Sequence, residues 1–189
     1  MRKLGIFCIM IVVLLSGCKR STKKEQEMLN NYKSFMEAII DNKGAESTNI
    51  PFEHRLEVTK SKDGMYEYSV TIHNPKVAMY DIEMMVLNKN IDASKEWMPN
   101  LGLTDDVNEK YTMIPFQSKK EDGYYSGVQL GGQSSSPKFT LNVMVTWKDY
   151  AKLKTTKVFF NYTYEYQDEQ KEVGSQASSN DTTEQTASE

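Results

Sequence analysis

Apolar positions early in the chain recur at the spacing of an α-helix. Offsets of 4, 3, 1, 3 and 1 place six side chains on one helical face: Met28, Tyr32, Phe35, Met36, Ile39 and Ile40. Gly44 follows as the stop. The pattern predicts an amphipathic helix over residues 25–44. We expect its apolar face to pack on the domain, with a coiled-coil partner as the alternative.

Beyond the helix the period of the apolar positions becomes two, which is typical of β-strands. Leu56 and Val58 alternate with charged residues, and Tyr66–Ile72 alternates again after a Lys-Asp-Gly turn at 62–64. Asp-Gly between two alternating runs favours a hairpin. The segment Met79–Leu87 is apolar at positions of both faces, so we expect a central strand there.

The second half of the chain alternates less evenly. A long connection is predicted from Asn88 to about Lys110, and a break at Gly131–Pro137, where glycine, serine and proline gather. The pattern predicts two weaker strands at Tyr111–Gln117 and Tyr124–Leu130. The two clearest strands of the chain follow at Phe139–Trp147 and Val158–Tyr166, joined by a hairpin loop at 148–154.

About seven short antiparallel strands with frequent turns are typical of a two-sheet sandwich. We therefore predict a mainly β fold, an immunoglobulin-like antiparallel β-sandwich over residues 50–167, preceded by one helix. The Cys-Trp-Cys signature of true immunoglobulin domains is absent, so the prediction concerns architecture only. The alternative is an α+β fold with the helix packed on one curved antiparallel sheet.

The N-terminal residues have the layout of an export signal. Arg2 and Lys3 precede the apolar run Leu4–Leu15, which is about 12 residues long where a membrane-spanning helix needs about 20. Ser16 and Gly17 are the small residues of a cleavage site, and Cys18 follows directly. The sequence Leu-Ser-Gly-Cys at 15–18 resembles the lipobox of bacterial lipoproteins.

The resemblance covers only about the first twenty residues, and its implications are specific. It implies a signal peptide over 1–17, cleavage between Gly17 and Cys18, and a diacylglyceryl thioether on Cys18. The chain would then lie outside the cytoplasm, attached to the bacterial cell membrane by lipid. An uncleaved signal anchor is the alternative. Cys8 falls in the discarded segment, so the mature chain would hold neither a disulfide nor a cysteine zinc site.

In the mature chain the excess of negative charge lies in the C-terminal tail, and a run of basic residues lies at the start. Residues 18–24 form a basic tether, whose lysines and arginine either bind an anionic membrane face or stay solvated without a role. Residues 168–189 form an acidic, Ser/Thr-rich tail that we expect to be disordered. The formal net charge is −3 and no basic face stands out, which argues against a nucleic-acid partner.

Candidate chemistry is sparse. His54 falls in the first strand and His73 at a strand end, and no motif supplies either histidine with a nucleophile or a carboxylate. The acidic run at 105–109 lacks the spacing of a calcium loop. We therefore predict no catalytic residue, no metal site and no cofactor.

Aromatic side chains outside the regular strands are the better candidates for a site. Trp147 belongs to the last alternating runs and is expected in the core, whereas Trp97, Tyr124 and Tyr125 lie in loops or at strand edges. Such residues either bind a ligand or close the sandwich, and for Trp97 we favour a plug at its open end.

The leading hypothesis is a lipid-anchored binding protein without catalytic activity, whose partner is an envelope component, a host protein or a glycan. A hydrolase of envelope polymers that uses Asp105 or Asp106 is one alternative. The others are an immunity or exclusion lipoprotein and the receptor subunit of an importer, although receptor subunits usually need two lobes.

Overall fold

A computed structural model describes residues 23–104 and 110–167. The lipobox with Cys18, the acidic run at 105–109 and the tail at 168–189 lie outside the described residues. The described chain forms one α-helix, α1 (Lys23–Asp41), and seven strands: β1 (Glu53–Lys60), β2 (Tyr66–His73), β3 (Tyr80–Asn88), β4 (Asn100–Leu101), β5 (Gly127–Ser134), β6 (Lys138–Lys148) and β7 (Thr155–Glu165).

The strands form two antiparallel sheets. One has the order β1-β2-β5 and the other the order β4-β3-β6-β7. Constant-type immunoglobulin domains order their strands A-B-E-D and C-F-G. The present orders match this pattern except that the fourth strand pairs with β3 instead of β5. The predicted immunoglobulin-like sandwich is confirmed, and the single-sheet alternative is wrong.

The inner faces of the two sheets form the main core. On β2 the alternating residues Tyr68, Val70 and Ile72 point inward, as the period of two predicted. Trp147 near the end of β6 is only 4 % exposed and packs edge-on against Phe52. The prediction of a core tryptophan at this position is confirmed.

A second apolar cluster lies on the outer face of the four-stranded sheet, under α1. Half of the predicted helical stripe is buried here, whereas Ile40 of that stripe is 53 % exposed. Outward side chains of β3 and β6 and two residues of the long connection complete the cluster; its buried members are Tyr32, Phe35, Ile39, Met85, Leu87, Met98, Leu103 and Met144. This cluster explains why β3 is apolar on both faces. Each buried large apolar side chain stabilises the fold by about 1.5–3 kcal/mol.

The direction of α1 relative to β3 is fixed by two polar contacts. Asn31 donates to the Glu83 carboxylate at 3.2 Å, near the start of β3, and Asn161 donates to the Gly44 carbonyl at 2.7 Å. Asn161 lies in β7 beside the part of the sheet that pairs with the end of β3. The helix therefore runs parallel to β3. It ends where Lys43 and Gly44 take positive φ values of 52° and 79°.

One predicted strand is wrong. The segment Tyr111–Gln117 makes only isolated bridges, because Ile114–Gln117 closes a tight turn with a 3.1 Å backbone hydrogen bond. Pro115 has no N–H to donate to a sheet, and Phe116 has a φ of 61°. The seventh strand is instead the two-residue β4, inside the predicted long connection.

The predicted break at Gly131–Pro137 is also wrong in its first half. Strand β5 begins later than expected and runs through Gly131 and Gly132 to Ser134. Gly132 pairs with Tyr68, and a Cβ at Gly132 would lie only 2.4 Å from the Tyr68 hydroxyl oxygen. The glycine is needed because the Tyr68 ring covers it. Burial raises the pKa of Tyr68 to about 12.

Within the described ranges, no helix has both the length and the apolar character required to cross a membrane.

Gly132 and Gly131 provide a matched test of this packing. We expect Gly132→Ala to lower the free energy of unfolding by about 1–3 kcal/mol, since the new methyl group overpacks the core against Tyr68. A Cβ at Gly131 makes only ordinary contact at 3.7 Å, so Gly131→Ala should be neutral or add up to about 1 kcal/mol. Urea unfolding of both variants measures the difference, and equal effects would contradict the assigned register.

Candidate functional site

Trp97 lies outside the sandwich, against the helix. The residue is 65 % exposed, and the centroid of its ring lies 4.4 Å from that of Tyr32 in the middle of α1. The expectation that Trp97 plugs the open end of the sandwich is wrong. The long connection is instead secured by Met98 and Leu103, which are buried under the helix and leave Trp97 at the surface.

Hydrogen bonds both before and after Trp97 in the sequence fix its position. After it, the Met98 N–H donates to the Tyr32 hydroxyl at 2.7 Å, and this contact is buried. Before it, the Asp92 carboxylate accepts from the Ser94 hydroxyl and from the Ser94 N–H, and these bonds lower the pKa of Asp92. The bonds at Asp92 and Met98 therefore hold in place the backbone segment that carries the Trp97 indole.

A groove of about 460 Å³ runs between α1 and the segment that carries Trp97. Leu29, Met36 and Trp97 supply apolar surface, and Lys33, Glu37 and Lys95 supply charges of both signs. The groove thus combines an apolar anchor point with a polar rim, which is the composition of a binding site for a partner.

The other two predicted aromatics lie elsewhere. Tyr125 is half-buried, its ring lies 5.5 Å from that of Tyr111, and its N–H donates to the Thr112 carbonyl. Tyr124 closes the neighbouring loop through two backbone hydrogen bonds with Lys119. The structure does not bring either tyrosine to the groove at Trp97, so the three candidates do not form one site.

Sequence reasoning missed a charged cluster at the start of β3. Asp81 occupies a β-bulge with a φ of 49°, and its carboxylate lies 3.0 Å from the Lys148 ammonium group. Lys110 and Lys152 approach it at 3.9 and 3.8 Å. Burial alone would raise the pKa of Asp81, but the hydrogen bond from Lys148 and the three positive charges lower it. An aspartate inside an apolar run was the available signal.

The two histidines have different surroundings. The His54 ring stacks on Phe160 at 4.1 Å, and its Nδ1 atom lies 2.5 Å from the Tyr162 hydroxyl. Burial lowers the pKa of His54, against a raising effect of Glu46. His73 lies 3.6 Å from the Glu53 carboxylate at the strand end. The prediction of a strand histidine at His54 is confirmed.

Metal-binding groups are not gathered in the described part of the chain. There, no three His, Cys, Asp or Glu side chains lie close enough together to hold an ion. Asp105 and Asp106, the acids of the hydrolase hypothesis, lie outside the described residues, so that hypothesis stays a prediction.

Comparisons with known proteins add no assignment: no family model, no curated protein and no solved structure matches this chain.

The burial of His54 predicts a pH dependence of stability. The folded state resists protonation of this ring while the unfolded chain accepts a proton near the usual pKa of 6.5, so stability should fall as the pH drops from about 7 to 5. In His54→Gln this contribution disappears. Urea unfolding at both pH values measures the loss in each protein, and an undiminished loss in the variant would contradict the buried neutral histidine.

Proposed function

We propose that this chain is a bacterial lipoprotein, held on the outer side of the cell membrane by an acylated Cys18, which binds a partner through the groove at Trp97. The N-terminal layout of basic residues, short apolar run, small residues and cysteine supports the anchor. The exposed, fixed indole supports the binding role. The lipid anchor and the binding role do not depend on each other, and a separate experiment tests each.

The exposure of Trp97 is the observation that carries the binding proposal. Trp147, the other tryptophan, is 4 % exposed, whereas Trp97 is 65 % exposed although a buried hydrogen bond fixes the residue beside it. An indole buries 150–250 Å² when covered, so a partner that covers the exposed part of Trp97 gains roughly 2–4 kcal/mol. Tryptophan is also enriched among residues that dominate binding energy.

The groove favours a protein segment as the partner. Lys33 and Lys95 stand beside Glu37 on the rim, so the site offers both signs of charge around an apolar centre. A protein segment that presents an apolar side chain flanked by polar groups complements this arrangement. A glycan, whose rings also stack on indoles, is the alternative that the experiment below separates.

The anchor is tested by removing its sulfur atom. Wild-type protein expressed in a bacterium should incorporate labelled palmitate and sediment with the membranes, because two acyl chains hold a protein firmly where one does not. Cys18→Ala should incorporate no label and leave the membrane fraction. Equal membrane retention of both proteins without label would contradict acylation at this residue.

The binding role is tested by removing the indole. Benzoylphenylalanine placed at position 33, on the groove rim, should give light-dependent adducts with a protein in living cells, and Trp97→Ala should abolish them. The stability loss in Trp97→Ala should stay at about 1 kcal/mol, because the side chain is mostly exposed and its ring contact is with Tyr32.

Two controls make this result specific. Tyr150→Ala, which removes an exposed aromatic ring that does not line the groove, should leave the adducts intact. Binding of purified protein to envelope polysaccharide that Trp97→Ala removes, without protein adducts, would identify a glycan instead. Unchanged adducts in Trp97→Ala, or a large loss of stability, would contradict the proposal.

A further inference from the structure

Exposed apolar side chains concentrate at one end of the sandwich. Among the described residues six large hydrophobic side chains are exposed, and four of them lie in three loops at this end. Val77 lies between β2 and β3, Phe116 between β4 and β5, and Tyr150 and Leu153 between β6 and β7. We call the loops 74–79, 110–126 and 149–154 the loop end.

Contacts near the start of β3 hold these three loops together. Met79 pairs with Met113 by two backbone hydrogen bonds, which ties the first loop to the second. The Tyr80 ring lies 6.0 Å from that of Tyr150, which ties the strand to the third loop. The three loops that carry the exposed apolar side chains are therefore neighbours at one end of the domain.

Phe116 is the most exposed of these four apolar side chains. It is fully exposed at the tip of the Ile114–Gln117 turn, and its φ of 61° is a conformation that normally selects glycine. The Phe116 ring adds no buried area to the fold, and the backbone at this residue is strained. An outlier of this kind points to a role outside the folded core.

The helix begins at the same end. Asn31 contacts Glu83, so the helix start lies about 12 Å from that contact, and the start of β3 lies about 10 Å from it in the same direction. Only five residue steps separate Lys23 from Cys18, which an extended chain spans in about 18 Å. An acyl group on Cys18 would hold the loop end near the bilayer.

The opposite end lies farther from Lys23 and exposes less apolar surface. Its turns at 61–65 and 135–137 contain none of the exposed large hydrophobic side chains of the described chain, and Ile40 near the end of α1, 53 % exposed, is the member of the six that lies towards this end. Strand β6 has 11 residues and spans about 36 Å between the two ends, about twice the reach of the tether. The reach of the tether and the distribution of exposed apolar side chains thus both indicate that the loop end faces the membrane.

Lysines flank two of the four exposed apolar residues. Lys76 precedes Val77, and Leu153 lies between Lys152 and Lys154. Long cationic side chains beside apolar tips suit a membrane interface, because their stems follow the apolar layer while the ammonium groups meet phosphates.

We propose that the loop end rests on the lipid surface, with Phe116 and Leu153 inserted at the boundary between headgroups and acyl chains. The proposal depends on the acylated Cys18 proposed above. The domain then stands with its strands steep to the membrane, and the groove at Trp97, midway along α1, opens sideways where a partner can reach it.

Nitroxide labels on the acylated full chain test this orientation. The protein is purified from bacterial membranes and reconstituted in vesicles of phosphatidylglycerol and phosphatidylethanolamine, with single cysteines introduced as Phe116→Cys, Leu153→Cys or, as the control at the opposite end, Lys62→Cys. All three replaced side chains are exposed, so the fold should tolerate the changes. Collision rates with oxygen and with a nickel chelate report depth.

The expected result is a severalfold higher ratio of oxygen to nickel collisions at positions 116 and 153 than at position 62. Mass spectrometry of the same sample measures the acyl groups. Acyl mass present with equal ratios at all three positions, or with the highest ratio at 62, overturns the orientation alone. Absence of the acyl mass overturns the anchor and the orientation with it.

Discussion

The burial of β3 and β6 on both faces is the constraint on which the rest of the structure depends. Their inward side chains fill the sandwich, and their outward side chains Met85 and Met144 are fully buried under Phe35 and Ile39 of α1. A sandwich without the helix would expose this second apolar layer to water. The helix is therefore a third layer of the fold and not a spacer between anchor and domain.

This constraint links the N-terminal part of the chain to both candidate surfaces. Because α1 is fixed on the sheet, its residue Tyr32 fixes the backbone beside Trp97 through a buried hydrogen bond. The same helix brings Lys23 to the end of the sandwich where Phe116 and Leu153 are exposed. An acyl anchor, the helix and the groove would then form one body with a defined orientation, so a partner would meet Trp97 at a set height above the membrane.

Much of the fold was predictable from the sequence, and the failures have physical causes. Alternating runs correctly marked β1, β2, β6 and β7, a run that is apolar on both faces marked β3, and the apolar stripe marked the helix. A two-residue strand such as β4 is too short to show a period. Gly132 suggested a break in the strand, but glycine is required there because the Tyr68 ring of a neighbouring strand covers it, and the local sequence does not show that contact. The apolar residues around Pro115 resembled a strand although they form a turn. The exposure of Trp97 depends on which neighbours the helix buries, and no local pattern encodes that.

Native-state hydrogen exchange tests the three-layer account most directly. If α1 is part of the core, the amides of Phe35 and Ile39 should exchange with the same opening free energy and denaturant dependence as those of Val143 and Val145 in β6, because all open only on global unfolding. Exchange of the helix amides at a much lower free energy and without denaturant dependence, while β6 stays protected, would show that the helix opens independently of the sandwich and would contradict the account.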